Sequence, residues 1–285
     1  MEENIMMQDD ITSLHKQNIR QVLTDENFTN LISEIKYIEK FIYHMDDINF
    51  NRSFYFDMKL KLLPVGIILD SARATLYSIQ LCCENNNLAD AYTLIRKYRD
   101  DLFFYLYIIY VNGNMDVFKE SEMTKHEKNI AEWNNNNLKN LNICEIVKYI
   151  GTTDVAKHAV KKYKLQQSFN NISEELNNFV HSNGKAYYNR PYMSYKNKEQ
   201  TKNITENMKY QINYITSVFL FLLTLINPIY ISSTDYIDSL EMGLDPEEGS
   251  QYFVAPFIID YIDKKMVLID EGWKAYLKEN VEMDI

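Results

Sequence analysis

"LADAYTLIRKYRDDLFFYLYIIYVNG", residues 88–113, decides the fold class. It contains no proline, and its only glycine, Gly113, stands at the end, where glycine commonly closes a helix. Its second half is apolar on every side of a helix, as expected of a helix buried in the middle of a bundle. Working outward, Leu31, Ile35, Ile38 and Ile42 recur at helical spacing, so helices are expected at about 9–23 and 25–47, with a connection at 49–53. A further helix starts near Pro64, a residue tolerated in a first turn, and runs to the polar break "NNN" at 85–87. Helical pattern returns at about 165–182 and at 197–227, ending before Pro228. The last helices fall between 254 and 281, and "DPEE" at 245–248 offers Asp245 as N-cap, Pro246 in the first turn and Glu248 as capping-box partner. Seven glycines and five prolines in 285 residues leave little material for the tight turns of an all-β fold. The expectation is therefore all-α: a helical bundle over 1–231 with a polar, Asn-rich surface insertion around 114–164. An acidic helical extension, 232–285, would pack on the same domain.

Charge supports that division. Residues 232–285 carry 13 acids and 4 bases, a net of −9, whereas the rest of the chain is nearly neutral. Nonspecific nucleic-acid binding draws its affinity from neutralising phosphates, so the whole chain is poorly suited to it, although a local basic surface is not excluded. The acidic end suits a protein partner. Three cysteines, Cys82, Cys83 and Cys144, show no C-x-x-C spacing, and the N-terminus "MEENIMMQDD" lacks a basic-then-apolar leader pattern; both fit a cytoplasmic protein. Between Lys209 and Asp235 there is no charge, a span long enough for a membrane helix. Asn213, Thr216, Ser217 and Asn227 interrupt it, however, and favour a buried bundle helix.

Chemistry concentrates in "LNNFVHSNG", 176–184. Phe169, Ile172, Leu176, Phe179 and Val180 form one helical stripe, while Glu174, Asn177, Asn178 and His181 lie on the other side. His181 therefore has two readings. It is the last turn of a helix, where a histidine suits the helix dipole and "SNG" supplies a left-handed cap; or Asn177 and His181, four apart, form a polar pair aimed at a cleft. The remaining histidines, His15, His44, His126 and His158, are isolated, and Asp154 with His158 does not make a metal site. No phosphate loop, nucleophile elbow or H-E-x-x-H is present, and no cofactor is expected.

The pattern of asparagine and, four residues later, histidine at the end of a late helix resembles the HEPN superfamily of bacterial defence and toxin ribonucleases. An earlier helix bearing "RKYRD", with Arg96 and Asp100 four apart, resembles one branch of it. The family motif is Arg-Asn, three variable residues, then His; "LNNFVH" keeps Asn177 and His181 but has Leu176 in place of the arginine. The resemblance implies a HEPN-like bundle and a metal-independent ribonuclease or RNA-binding effector of phage defence or toxin–antitoxin systems. In it His181 transfers protons, Asn177 orients it, and Arg96 stands in for the missing phosphate-binding arginine. The structural reading of the same residues is an Arg96–Asp100 ion pair, since a partly buried guanidinium demands a partner. The resemblance also implies a homodimer in which two histidine helices meet.

After His181, "SNGKAYYNRPYMSYKNK" interleaves cations with tyrosines, and residues 182–209 hold six bases and two acids. Lys185, Tyr187, Tyr188, Arg190 and Lys196 are thus the expected contacts for single-stranded RNA, cations meeting phosphates beside rings that stack bases. Against a ribonuclease stands Leu176, which favours a non-catalytic helical interaction or scaffold protein.

Overall fold

The computed structural model describes residues 12–13, 16–17, 19–57, 66–113, 123–137, 142–187 and 198–285. Among these residues the fold is all-α; the one β contact is an isolated antiparallel bridge between Ser232 and Val254. The long helices are α1 (Glu26–Asp57), α2 (Gly66–Glu84), α3 (Leu88–Gly113), α7 (Leu165–Val180) and α8 (Lys198–Ile226). Between α3 and α7 lie three short ones, α4 (Lys125–Asn134), α5 (Ile143–Ile150) and α6 (Lys157–Lys162). The C-terminal part contributes α9 (Thr234–Glu241), α10 (Pro256–Tyr261), a π-helical turn at Ile262–Met266, and, after the short helix Val267–Ile269, α11 (Glu271–Asn280).

Two local expectations are corrected. The connection foreseen at 49–53 is helical, because α1 continues to Asp57. Asn49 does not start a turn: its side-chain amide donates to the carbonyl of Met45 at 2.7 Å, one turn back, and to that of Tyr230 at 3.3 Å. With both bonds made inside the protein, its usual competition with the helical backbone is lost. "DPEE" does not open a helix either. Gly249, at φ +85°, turns the chain immediately after Glu248, and the proline that occupies a first helical position is Pro256, at the start of α10.

The chain divides into two compact units, each assembled from three separate stretches. The first comprises Met1–Lys40, Arg73–Tyr98 and Asn170–Ile212; the second comprises Phe41–Ala72, Arg99–Phe169 and Asn213–Ile285. Within the first, α1 contributes Phe28, Leu31, Ile35 and Ile38, α2 Leu76 and Ile79, α3 Tyr92 and Ile95, α7 Ile172 and Leu176, and α8 Met208 and Ile212, all buried. Within the second, the apolar run of α8 meets the C-terminal helices. Trp273 stacks on Phe221 with centroids 5.0 Å apart, and the Tyr261 hydroxyl lies 3.1 Å from that of Ser217. The Asn-rich region contributes to this unit's core as well, through Ile130, Ile146, Val147, Ile150 and Ala159. Helix α8 is the one described helix long and apolar enough to cross a membrane, and 78% of its most apolar window is buried inside the protein. Its hydroxyls are satisfied internally, Thr224 by the carbonyl of Leu220 at 2.8 Å.

Candidate functional site

The end of α7 is set by backbone geometry. Ser182 adopts the left-handed conformation at φ +52°, its N–H donates to the Phe179 carbonyl at 3.3 Å, and the N–H of Asn183 donates to the Asn178 carbonyl at 3.0 Å. That pair of bonds is the Schellman ending of a helix, with His181 as its C-cap. The serine takes the left-handed position, while Gly184, at φ +131°, serves the turn that follows. The His181 N–H closes on the Asn177 carbonyl at 2.9 Å, and its side chain is exposed, with no hydrogen bond to the ring among the described residues. Asn177 is half-buried, and its Oδ1 is buried without a hydrogen-bond partner among the described residues. Leu176, at the position of the motif arginine, is wholly buried.

Nearly two turns before the histidine, the first unit holds a polar network. The Glu175 carboxylate accepts from the Asn207 amide at 2.7 Å through one oxygen and from the Gln211 amide at 2.7 Å through the other. Asn207 also approaches the Tyr92 hydroxyl at 3.3 Å. Burial pushes the Tyr92 phenol well above its ordinary range, so it stays protonated. Its ring lies flat on Phe179, centroids 4.0 Å apart, and Tyr187 meets the same phenylalanine edge-on at 5.1 Å. The Tyr187 hydroxyl accepts from Asn178 at 3.2 Å.

These groups floor an open depression of about 380 Å³ lined by Asn171, Glu174, Glu175, Asn178, Phe179 and Tyr187. Two carboxylates, two amides and two aromatic rings, with no cation in the lining, suit a cationic or amide-bearing group. Phosphate would meet like charge there. Of the polar face expected on this helix, Glu174 and Asn178 line the depression; Asn177 and His181 do not.

Arg96 is half-buried on α3 in the first unit. The fully buried arginine is Arg99, in the second unit. Its Nε and Nη2 donate to Asp100 Oδ1 at 2.8 and 2.6 Å, and its guanidinium lies 5.0 Å over the ring of Phe169. The partial burial expected of Arg96 is found, and Asp100 is also the partner of Arg99. Arg99 shares its face with Leu102, Phe103 and Leu106, all buried, and so points into the core, while adjacency in sequence brings Asp100 within its reach. Of the expected nucleic-acid contacts, Lys185 is exposed on the short turn Lys185–Tyr187, and Tyr187 is committed to Phe179 and Asn178. Tyr188, Arg190 and Lys196 lie outside the described residues. No group of three or more His, Cys, Asp or Glu able to hold a metal occurs among the described residues.

A second constellation was not expected from the spacing of histidines. In the second unit the His126 ring stacks on Tyr149 at 3.5 Å, and its Nδ1 lies 3.0 Å from the hydroxyl of buried Tyr107. A sequence signal did exist: Thr124 and Glu127 form a reciprocal capping box that starts α4 and fixes His126 in its first turn. Burial, and secondarily the charge of Lys125, lower the pKa of His126, while Glu145 opposes them. A histidine so placed binds fewer protons folded than unfolded between the two pKa values. Its contribution is complete above pH about 6.5 and declines as pH falls below that value towards the folded-state pKa. The melting temperature is accordingly expected to drop between pH 7 and 5, and His126→Phe, which keeps a ring on Tyr149, should flatten the drop. An identical pH profile in that variant would remove His126 as its source.

No family model, curated protein or solved structure matches this chain.

Proposed function

We propose that this protein is a non-catalytic helical binding protein, with the depression beside α7 as one recognition surface. The observation that carries the reading is Leu176: the position that would hold a phosphate-binding arginine is an apolar side chain sealed in the core. Glu174 and Glu175 line the neighbouring depression, so it repels a phosphodiester rather than stabilising one. The His181 imidazole is exposed and has no hydrogen-bond partner among the described residues, whereas general acid–base work needs a positioned group. His181 is a helix terminus on this reading. Purified protein is expected to leave single-stranded RNA intact with or without EDTA, and His181→Ala to leave the melting temperature unchanged. Cleavage that is lost in His181→Ala would overturn the reading.

One observation favours a second reading, the HEPN-like, metal-independent ribonuclease. Asn177 Oδ1 is buried without a partner one turn from His181, and an orphaned acceptor of that kind ordinarily has an occupant to explain it. This reading carries the homodimer with it, since the active cleft would be shared between two copies of α7. Light scattering at the monomer mass of 33.8 kDa at micromolar concentration would remove it.

A further inference from the structure

The acidic C-terminal stretch carries a surface that the depression on α7 does not explain. Helix α9 is started by Ser233, whose hydroxyl accepts from the Asp235 N–H at 3.3 Å, and is stopped by Gly243 at φ +68°. The Gly243 N–H donates to the Leu240 carbonyl at 3.1 Å and the Leu244 N–H to the Ser239 carbonyl at 2.9 Å, again a Schellman ending. In such an ending the residue after the glycine is commonly apolar and covers an apolar side chain five positions earlier. Here that earlier residue is Ser239, and Leu244 stays 59% exposed. Leu240 and Met242, on the same tight turn, are 52% and 74% exposed. Three large apolar side chains thus stand in water within five residues, where isolated ones would need no explanation.

Their surroundings choose the occupant. Asp235, Asp238, Asp245, Glu247 and Glu248 are all exposed around the turn, and no lysine or arginine occurs from Tyr210 to Asp263. Exposed apolar side chains in a segment whose exposed charges are all acidic are complementary to an amphipathic helix with an apolar stripe flanked by lysines or arginines. A second copy presenting the same face would set carboxylates against carboxylates, and an anionic lipid surface would be repelled in the same way.

We infer that the turn Leu240–Leu244, in its acidic segment, docks a basic amphipathic helix of a partner protein. This rests on the reading of the chain as a binding protein and supplies the chemistry of one partner. The test is fluorescence anisotropy on the full chain with a labelled Leu/Lys peptide of about 18 residues, roughly five helical turns, and its Leu/Glu counterpart. The Leu/Lys peptide is expected to bind at low salt and to weaken as salt rises. The triple variant Leu240→Ser, Met242→Ser, Leu244→Ser should bind it at least about tenfold less tightly, a difference of roughly 1.4 kcal/mol, with an unchanged melting temperature because these side chains are mostly in water. Asp238→Lys with Asp245→Lys should weaken it through charge alone. Equal binding by the triple variant, equal binding of the Leu/Glu peptide, or no binding of the Leu/Lys peptide overturns the inference. A wild-type dimer that the triple variant dissolves would assign the turn to a second copy, and anionic vesicles bound only by the wild type would assign it to lipid; either outcome overturns it. RNA cleavage by a protein that still binds the peptide through this turn would sink the non-catalytic reading alone.

Discussion

Trp273→Ala is expected to cost about 3–5 kcal/mol of stability, the range for deleting a large aromatic side chain from a packed core. Trp273 is buried on α11, stacks on Phe221 of α8, and meets Tyr163 and Tyr214 edge-on with centroids 6.2 Å away in each case. Its position is fixed from both sides. Asp270 caps α11 by accepting from the Gly272 N–H at 2.8 Å, and the Tyr163 hydroxyl donates to the Gly272 carbonyl at 2.8 Å. Alanine would leave Phe221 facing a cavity that neighbours tied by these bonds cannot collapse to fill. The indole Nε1 has no hydrogen-bond partner among the described residues, so Trp273→Phe should cost less than alanine: it keeps a stacking ring and removes a buried orphan donor. Urea unfolding measures both. Leu268→Ala, in the same region but 77% exposed, serves as the control and should change stability by no more than about 0.5 kcal/mol. A Trp273→Ala loss as small as that control would mean that the C-terminal helices contribute nothing to the second unit's core.

How much of this was legible in the sequence depends on the length scale of the signal. The helix at 88–113 was read within a residue because ten consecutive apolar positions override any local ambiguity. Helix α8 was equally plain, its buried hydroxyls visible as breaks in an otherwise membrane-like run. Turn chemistry was less legible. Asn49 looked like a connection because asparagine usually competes with the helix, and only the distant carbonyl of Tyr230 reveals that its amide is used inside. "DPEE" carried every local mark of a helix start, but the left-handed Gly249 that follows cancels it. At the candidate site, Glu174 and Asn178 of the polar face expected on α7 line the depression, while Asn177 and His181 do not. Periodicity could not say that Glu175 is held by Asn207 and Gln211, because those partners lie on α8, more than thirty residues away. The His126 cluster escaped for the same reason: Tyr107 and Tyr149 come from α3 and α5, and none of the three residues is unusual alone.

The Arg99–Asp100 ion pair on α3 is buried unevenly. The Arg99 side chain is 2% exposed and that of Asp100 31%. Removing the carboxylate therefore deprives a guanidinium in the core of a charged partner, whereas removing the guanidinium leaves a carboxylate that water still reaches. Asp100→Ala is expected to destabilise the protein by about 3 kcal/mol, at the lower end for breaking a buried pair because solvent reaches the vacated side. Arg99→Met should cost less, since a flexible apolar chain of similar length can lie against Phe169 and leave no charge behind. The combination of Arg99→Met with Asp100→Ala should then be more stable than Asp100→Ala alone, a coupling that a double-mutant cycle in urea reads directly. If Asp100→Ala instead proves nearly neutral, the Arg99 guanidinium is not held by Asp100.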